Sequence, residues 1–249
     1  MGNEAGEWII HGVTWDDPKC IHDVDEAVEY INRVGFLPLF KNEIPGFSLE
    51  SKFQKIMNLQ QSGTANRNAE GIFILQQRVS SCAVGFAVQE GLIDLNEKLT
   101  EAFSGDLPEC IDENLKEATV RDLLTMCLGQ EKGSLMGEQR PLYEEDNWVK
   151  MSLAIPFKYK PGTHFVYNNV GPYLAGILVQ RRSGCDLVSY LTPRLFSKIG
   201  IKRPTWETDP LGNSFGAGGL FLTLSELHKF GLFYLNKGKW NGKQILSEK

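Results

Sequence analysis

The run over residues 79–90 constrains this chain more than any other. Val79, Cys82, Ala83, Phe86 and Ala87 recur at the three- and four-residue spacing of a helix face, and Gly91 supplies a stop. Leu92-Ile93-Asp94-Leu95 then reads as an exit loop. Three further helices share this logic. Thr119-Val120-Arg121-Asp122 is an N-cap with an acid at the third position, opening a short helix expected to end at Gly129. Residues 169–182 carry Leu174, Ile177 and Leu178 on an inward face. Thr223-Leu224-Ser225-Glu226 is a capping box for a last helix with Leu227, Phe230, Leu232, Phe233 and Leu235, stopping near Gly238. Asn241-Gly242 signals a tight turn, and no internal repeat is present.

The pattern changes before residue 71. Residues 60–70 are polar with no apolar periodicity, which marks a junction. The expected organisation is an unrelated acidic segment over residues 1–60, a linker over 61–70 and a helical domain over 71–249. Within the first segment, Val24, Ala27, Val28 and Ile31 predict an acidic amphipathic helix over residues 23–34, stopped by Gly35. Residues 1–50 hold ten acidic and three basic side chains, against 21 and 23 in the rest, so the acidic part is a poor phosphate-binding surface.

Composition enters here. At 42% hydrophobic and 23% charged over 249 residues the chain is globular. It is long enough to bury roughly 70–75% of its unfolded surface without metal or disulfides. The five cysteines, Cys20, Cys82, Cys110, Cys127 and Cys185, are far apart and form no Cys-x-x-Cys, so all are read as buried thiols. No apolar run reaches the roughly 18 residues of a membrane helix, and the first residues have no signal-peptide profile. A cytoplasmic location without membrane contact is the expectation.

Six segments in order carry a resemblance. They are Ala83-Val84-Gly85 with Gly91-Leu92-Ile93-Asp94-Leu95, Thr119-Val120-Arg121-Asp122-Leu123-Leu124-Thr125-Met126, Pro161-Gly162-Thr163 with Tyr167-Asn168-Asn169, Tyr190-Leu191-Thr192-Pro193 with Ile199-Gly200-Ile201, Gly218-Gly219-Leu220 with Thr223, and Gly238-Lys239-Trp240-Asn241-Gly242. Together, over residues 71–249, they resemble the serine beta-lactamase and penicillin-binding-protein family in its class C-like branch. The resemblance implies an α+β fold of the beta-lactamase/transpeptidase type. The helical region is expected to be largely present, and the antiparallel sheet incomplete at both ends. It also implies acyl transfer or hydrolysis on beta-lactams, D-Ala peptides or esters. There a Ser-x-x-Lys serine attacks a carbonyl, with Tyr-x-Asn and Lys-Thr-Gly elements beside it.

Of these elements this chain keeps Tyr167 and Asn169. Counting back from Ala83-Val84-Gly85, the serine position falls on Ile74 and the lysine position on Gln77, and no Ser-x-x-Lys, Lys-Ser/Thr-Gly or His-x-Gly occurs in the sequence. Isoleucine offers no nucleophile, and an amide is no base near neutral pH. Tyr167 and Asn169 are therefore expected to be vestigial, in a truncated and catalytically impaired or inactive chain. The Tyr167 phenol either hydrogen-bonds the Gln77 amide or packs with Phe165 and Tyr173. Ser80 and Ser81 are shifted-nucleophile candidates without a lysine three residues on. The alternative is a non-catalytic protein that binds a small peptide or beta-lactam-like ligand.

Residues 25–50, around Gly35-Phe36-Leu37-Pro38-Leu39-Phe40, resemble the opening of bacterial proteins related to an alkylpurine DNA glycosylase. The resemblance covers a tenth of the chain and reads as a fused remnant, so no nucleic-acid partner is expected. No cofactor or metal is expected either. Cys20-Ile21-His22-Asp23 with His11, Asp16 and Asp17 lacks a fixed ligand spacing. Gly212-Asn213-Ser214-Phe215-Gly216 has the letters of a nucleophile elbow, but Asp209-Pro210 before it and glycines after it make it a loop. His164 and His228 are read as structural. Lys158-Tyr159-Lys160 and Arg181-Arg182 are read as solvated basic ends. Strands near Phe221-Leu222 and residues 243–246 are expected to expose edges and favour self-association.

Overall fold

The computed structural model describes residues 73–248 apart from Glu138 and Arg203. The acidic segment, the linker and the helix expected over residues 23–34 lie outside the described residues. Nine α-helical segments run through the described part: α1 (Phe73–Gln89), α2 (Leu99–Ala102), α3 (Glu113–Glu117), α4 (Val120–Leu124), α5 (Trp148–Ala154), α6 (Val170–Ser183), α7 (Leu187–Leu191), α8 (Ser197–Ile199) and α9 (Leu224–Leu235). A π-turn over Thr192–Phe196 joins α7 to α8. Among the described residues the strands form two separate antiparallel ladders. In one, β1 (Thr205–Trp206) pairs with β2 (Leu220–Phe221); in the other, β3 (Lys239–Trp240) pairs with β4 (Lys243–Gln244). The class is α+β, with the helices dominant and the antiparallel strands few and short.

The core forms around α6. Every residue from Val170 to Gln180 is buried, so this stretch of the helix has no solvent face, as befits a helix with partners on several sides. It packs on α1 and α4, and α7 closes over it. Beside it Tyr173, Trp148 and Phe215 stack edge-on and tilted, with ring centroids 5.5–6.3 Å apart. The loop after β1 comes unusually close to α6. A Cβ on Gly216 would lie 2.6 Å from the Pro172 carbonyl oxygen, and one on Gly176 would lie 3.1 Å from Gly216 Cα. Only glycine permits that approach.

Local sequence explains the helix boundaries in most cases. The Thr119/Asp122 and Thr223/Glu226 capping boxes both form. Asn241 and Gly242, with φ of 48° and 76°, make the mirror-image turn that suits a two-residue hairpin between β3 and β4. Its tail returns to α1, where Leu246 packs over Gly85 and Ser247 N–H donates to Gln89 Oε1 at 2.6 Å.

Four expectations are corrected. The helix opened by Thr119 ends at Leu124, not Gly129, because Met126 takes the left-handed conformation at φ 58°. The last helix ends at Leu235 rather than near Gly238, with Lys237 at φ 53° turning the chain first. The expected strands shorten and shift to Leu220–Phe221 and Lys243–Gln244. Of the four thiols among the described residues, Cys82 is buried, Cys127 and Cys185 are half-buried and Cys110 is exposed, while Cys20 lies outside the described residues. The basic pairs are ion-paired: Arg181 meets Asp106, Arg182 meets Glu97 and Lys158 meets Glu131. No helix among the described residues is long and apolar enough to cross a membrane.

Candidate functional site

Ile74 sits in the first turn of α1, and Gln77 follows one turn later, 7% exposed. The Gln77 amide nitrogen reaches three acceptors: the Tyr167 hydroxyl at 3.0 Å, Asn169 Oδ1 at 3.2 Å and the Ala217 carbonyl at 3.4 Å. Two of these come from segments 92 and 140 residues away, so the site is assembled by the fold and not by local sequence. The Ala217 carbonyl accepts only, which fixes the nitrogen of the Gln77 amide toward it. The Leu135 carbonyl does the same for Asn169, whose Nδ2 donates to it at 3.0 Å.

Two adjacent asparagines divide the work at the start of α6. Asn168 is structural: its Oδ1 accepts from Val170 N–H and Ser134 N–H, each at 3.0 Å, and its Nδ2 donates to Gln130 Oε1 at 2.6 Å. Bracing of that kind satisfies orphan donors at a helix start. Asn169, the N-cap by position, makes no capping bond with its side chain and turns it toward Gln77 instead. Two left-handed residues support this arrangement. Leu135, at φ 59°, aims the carbonyl that holds Asn169, and Met126, at φ 58°, accepts Val166 N–H on its own carbonyl at 3.0 Å. Such conformations are costly for bulky side chains and gather where a site needs them.

A cavity of about 80 Å³ lies against this network, walled by Gln77, Arg78, Ser81, Leu123, Met126 and Tyr167 among others. Burial pushes the Tyr167 phenol above its ordinary value, and the Gln77 hydrogen bond offsets part of that shift. The phenol therefore stays protonated near neutral pH. Phe165 is 52% exposed and contributes to the cavity wall, while Tyr173 packs with Trp148 and Phe215 and its hydroxyl donates a hydrogen bond to Asp209 Oδ2 at 2.7 Å. Of the two readings of Tyr167, the structure shows the hydrogen bond to the Gln77 amide. Ser80 is buried with its hydroxyl on the Gly216 carbonyl, and Ser81 back-bonds to the Gln77 carbonyl at 3.0 Å. Ser214, in the loop with elbow letters, is buried and takes part in a β-bridge with Thr208. His164 stacks on Tyr159 at 4.2 Å, exposed on the loop before Tyr167. Sequence reasoning missed Arg78, although one signal was available: it is the single charged side chain in the seventeen residues of α1.

The Beta-lactamase family model matches residues 79–249, more than half of the chain. The chain belongs to the beta-lactamase family. A second model, described as AlkZ related, matches residues 21–65. The curated N-acetylmuramyl-L-alanine amidase of Bacillus subtilis is 22% identical over 241 residues, covering 86% of this chain and 52% of the amidase. Among solved structures, one from Bacillus anthracis described as a 6-aminohexanoate-dimer hydrolase superposes with a TM-score of 0.59. It is 22% identical and is covered over 70% of this chain and 49% of its own. The octameric penicillin-binding protein homologue from Pyrococcus abyssi gives 0.52 at 20% identity, over 70% of this chain and 45% of its own. At such identities the likeness establishes a beta-lactamase-like fold, and this beta-lactamase-family chain spans about half the length of the relatives it matches.

Proposed function

We propose that this chain is a beta-lactamase-family member impaired or inactive in acyl transfer. The observation that carries the reading is the Gln77 amide, seated between Tyr167 and Asn169. By helical register from Ala83 that is the family's lysine position, and Ile74, one turn earlier, is the serine position. The family match begins at residue 79, so the register and the hydrogen bonds together support the assignment. The relatives' names, amidase and hydrolase, point to attack on a carbonyl. Such attack needs an activated nucleophile and a base to take its proton. A hydrocarbon and an amide supply neither, and a phenol raised by burial is a poor base near neutral pH. Loss of a nucleophile typically lowers kcat by about 10⁶-fold.

Incubation with a fluorescent penicillin, followed by denaturing electrophoresis and mass spectrometry, tests the reading. No covalent adduct and no turnover of a chromogenic cephalosporin are expected; a stoichiometric adduct overturns the reading, and one on Ser80 or Ser81 would restore a shifted nucleophile. The cavity beside Tyr167 favours a second reading, non-covalent binding of a small peptide or lactam-like ligand. Saturable binding that is lost on Asn169→Leu would support it, and its absence would remove it.

A further inference from the structure

Arg78 is the one charged residue in α1, half-buried and part of the cavity wall beside Gln77 and Tyr167. Among the described residues its guanidinium has neither a carboxylate nor a hydrogen-bond acceptor. The neighbouring Cys82 thiol gives no counter-charge, since burial pushes it up to about 12. A second donor faces the same cavity. The Tyr167 hydroxyl accepts from Gln77, and among the described residues nothing accepts its own proton. The Gln77 amide hydrogens, by contrast, are committed to Tyr167, Asn169 and Ala217. The rest of the wall is largely apolar, with Leu123, Met126 and Phe165 in it, and none of the lining residues is acidic.

We infer that this cavity binds a small monocarboxylate, its two oxygens on the Arg78 fork and one of them accepting the Tyr167 proton, with its apolar part against Leu123, Met126 and Phe165. The planar fork of a guanidinium matches a carboxylate with two parallel hydrogen bonds, and an apolar wall disfavours a fully hydrated anion. The inference rests on the reading of a pocket that binds without acylating, and it names the chemical class the pocket would select.

The test is titration of the full chain with benzoate, benzamide and inorganic phosphate, followed by calorimetry and saturation-transfer NMR. Benzoate should bind saturably, with a dissociation constant of about a millimolar. Benzamide and phosphate should bind at least about tenfold more weakly, because each lacks either the charge or the apolar body. Arg78→Gln should weaken benzoate binding at least about tenfold, while Arg121→Gln, on the exposed side of α4, should leave it unchanged. Should Arg78→Gln fail to fold by circular dichroism, Arg78→Lys serves instead, with affinity for benzoate below the parent but above that of the parent for benzamide. Equal binding of benzoate and benzamide overturns the inference. So does benzoate binding unaffected by the Arg78 variants, or phosphate binding as tight as benzoate, which would mark a bare cationic patch. Penicillin labelling of the same preparation separates the two claims. An adduct sinks the reading of an impaired site whatever benzoate does, whereas no adduct together with no discrimination between benzoate and benzamide sinks this inference alone.

Discussion

Just past its C-terminal end α1 hands over to Glu90, whose carboxylate takes Arg194 Nε at 2.6 Å and Nη2 at 3.0 Å and the Tyr190 hydroxyl at 3.0 Å. Near its start the same helix offers Gln77, buried and joined to Tyr167, Asn169 and Ala217 by neutral hydrogen bonds. The first junction ties α1 to the π-turn with charge, in partial contact with water. The second ties it to the α6 entrance and the loop around Gly216 without charge and largely buried. The difference teaches where energy resides: an exposed ion pair is screened, whereas a buried amide that loses its partners strands them.

The largest effect expected from breaking this contrast is at the neutral end. Gln77→Leu leaves the Asn169 and Ala217 acceptors without that donor and should cost about 2–3 kcal/mol in urea denaturation. At the charged end Glu90→Gln should cost only about 1 kcal/mol at pH 7, and raising the salt to 1 M should shrink that difference while leaving the Gln77→Leu loss intact. Equal costs for the two variants would erase the distinction.

Acid sharpens it further. The Arg194 hydrogen bond, opposed by burial and helped by Tyr190, holds the Glu90 carboxyl below its ordinary value. Burial pushes Asp106 upward, but the bonds from Arg181 and Asn147 outweigh it and leave that carboxyl lowered as well. A lowered folded-state value means the stabilisation is complete above the unfolded carboxylate value of about 4 and is lost as pH falls through the folded one. Stability measured from pH 7 down to pH 3 should therefore decline. Glu90→Gln should flatten part of that decline, with Asp106, Asp186 and Glu226 among the lowered carboxyls that supply the rest, whereas Gln77→Leu should keep the parent's slope. The smallest change is expected for Ser81→Ala, within about 0.5 kcal/mol, because its hydroxyl only back-bonds to a carbonyl already inside the helix.

What could be read in advance was local or ordered. Thr119 with Asp122 and Thr223 with Glu226 are complete within four residues, so the chain states those helix starts outright. The approach of Gln77 to Tyr167 spans 90 residues, and only family register pointed to it. Met126 and Leu135 gave no sign of their left-handed conformations, because neither residue type favours them and long-range packing imposes them. The same cause shortened the helix expected to reach Gly129. Cys110 was misread because a small apolar side chain says little about its depth. Arg78 was legible as an isolated charge, yet its meaning depended on the cavity that the fold builds beside it.

The crossing of Gly176 and Gly216 sets the distance between the glycine loop and α6, and so the reach of the Ala217 carbonyl toward Gln77. That spacing belongs to bare main chain, which neither Ile74 nor Gln77 contributes to. On the proposed reading, changes at Ile74 and Gln77 can therefore proceed while the mould around them keeps its dimensions, and a chain without the chemistry would still inherit a shaped receptacle.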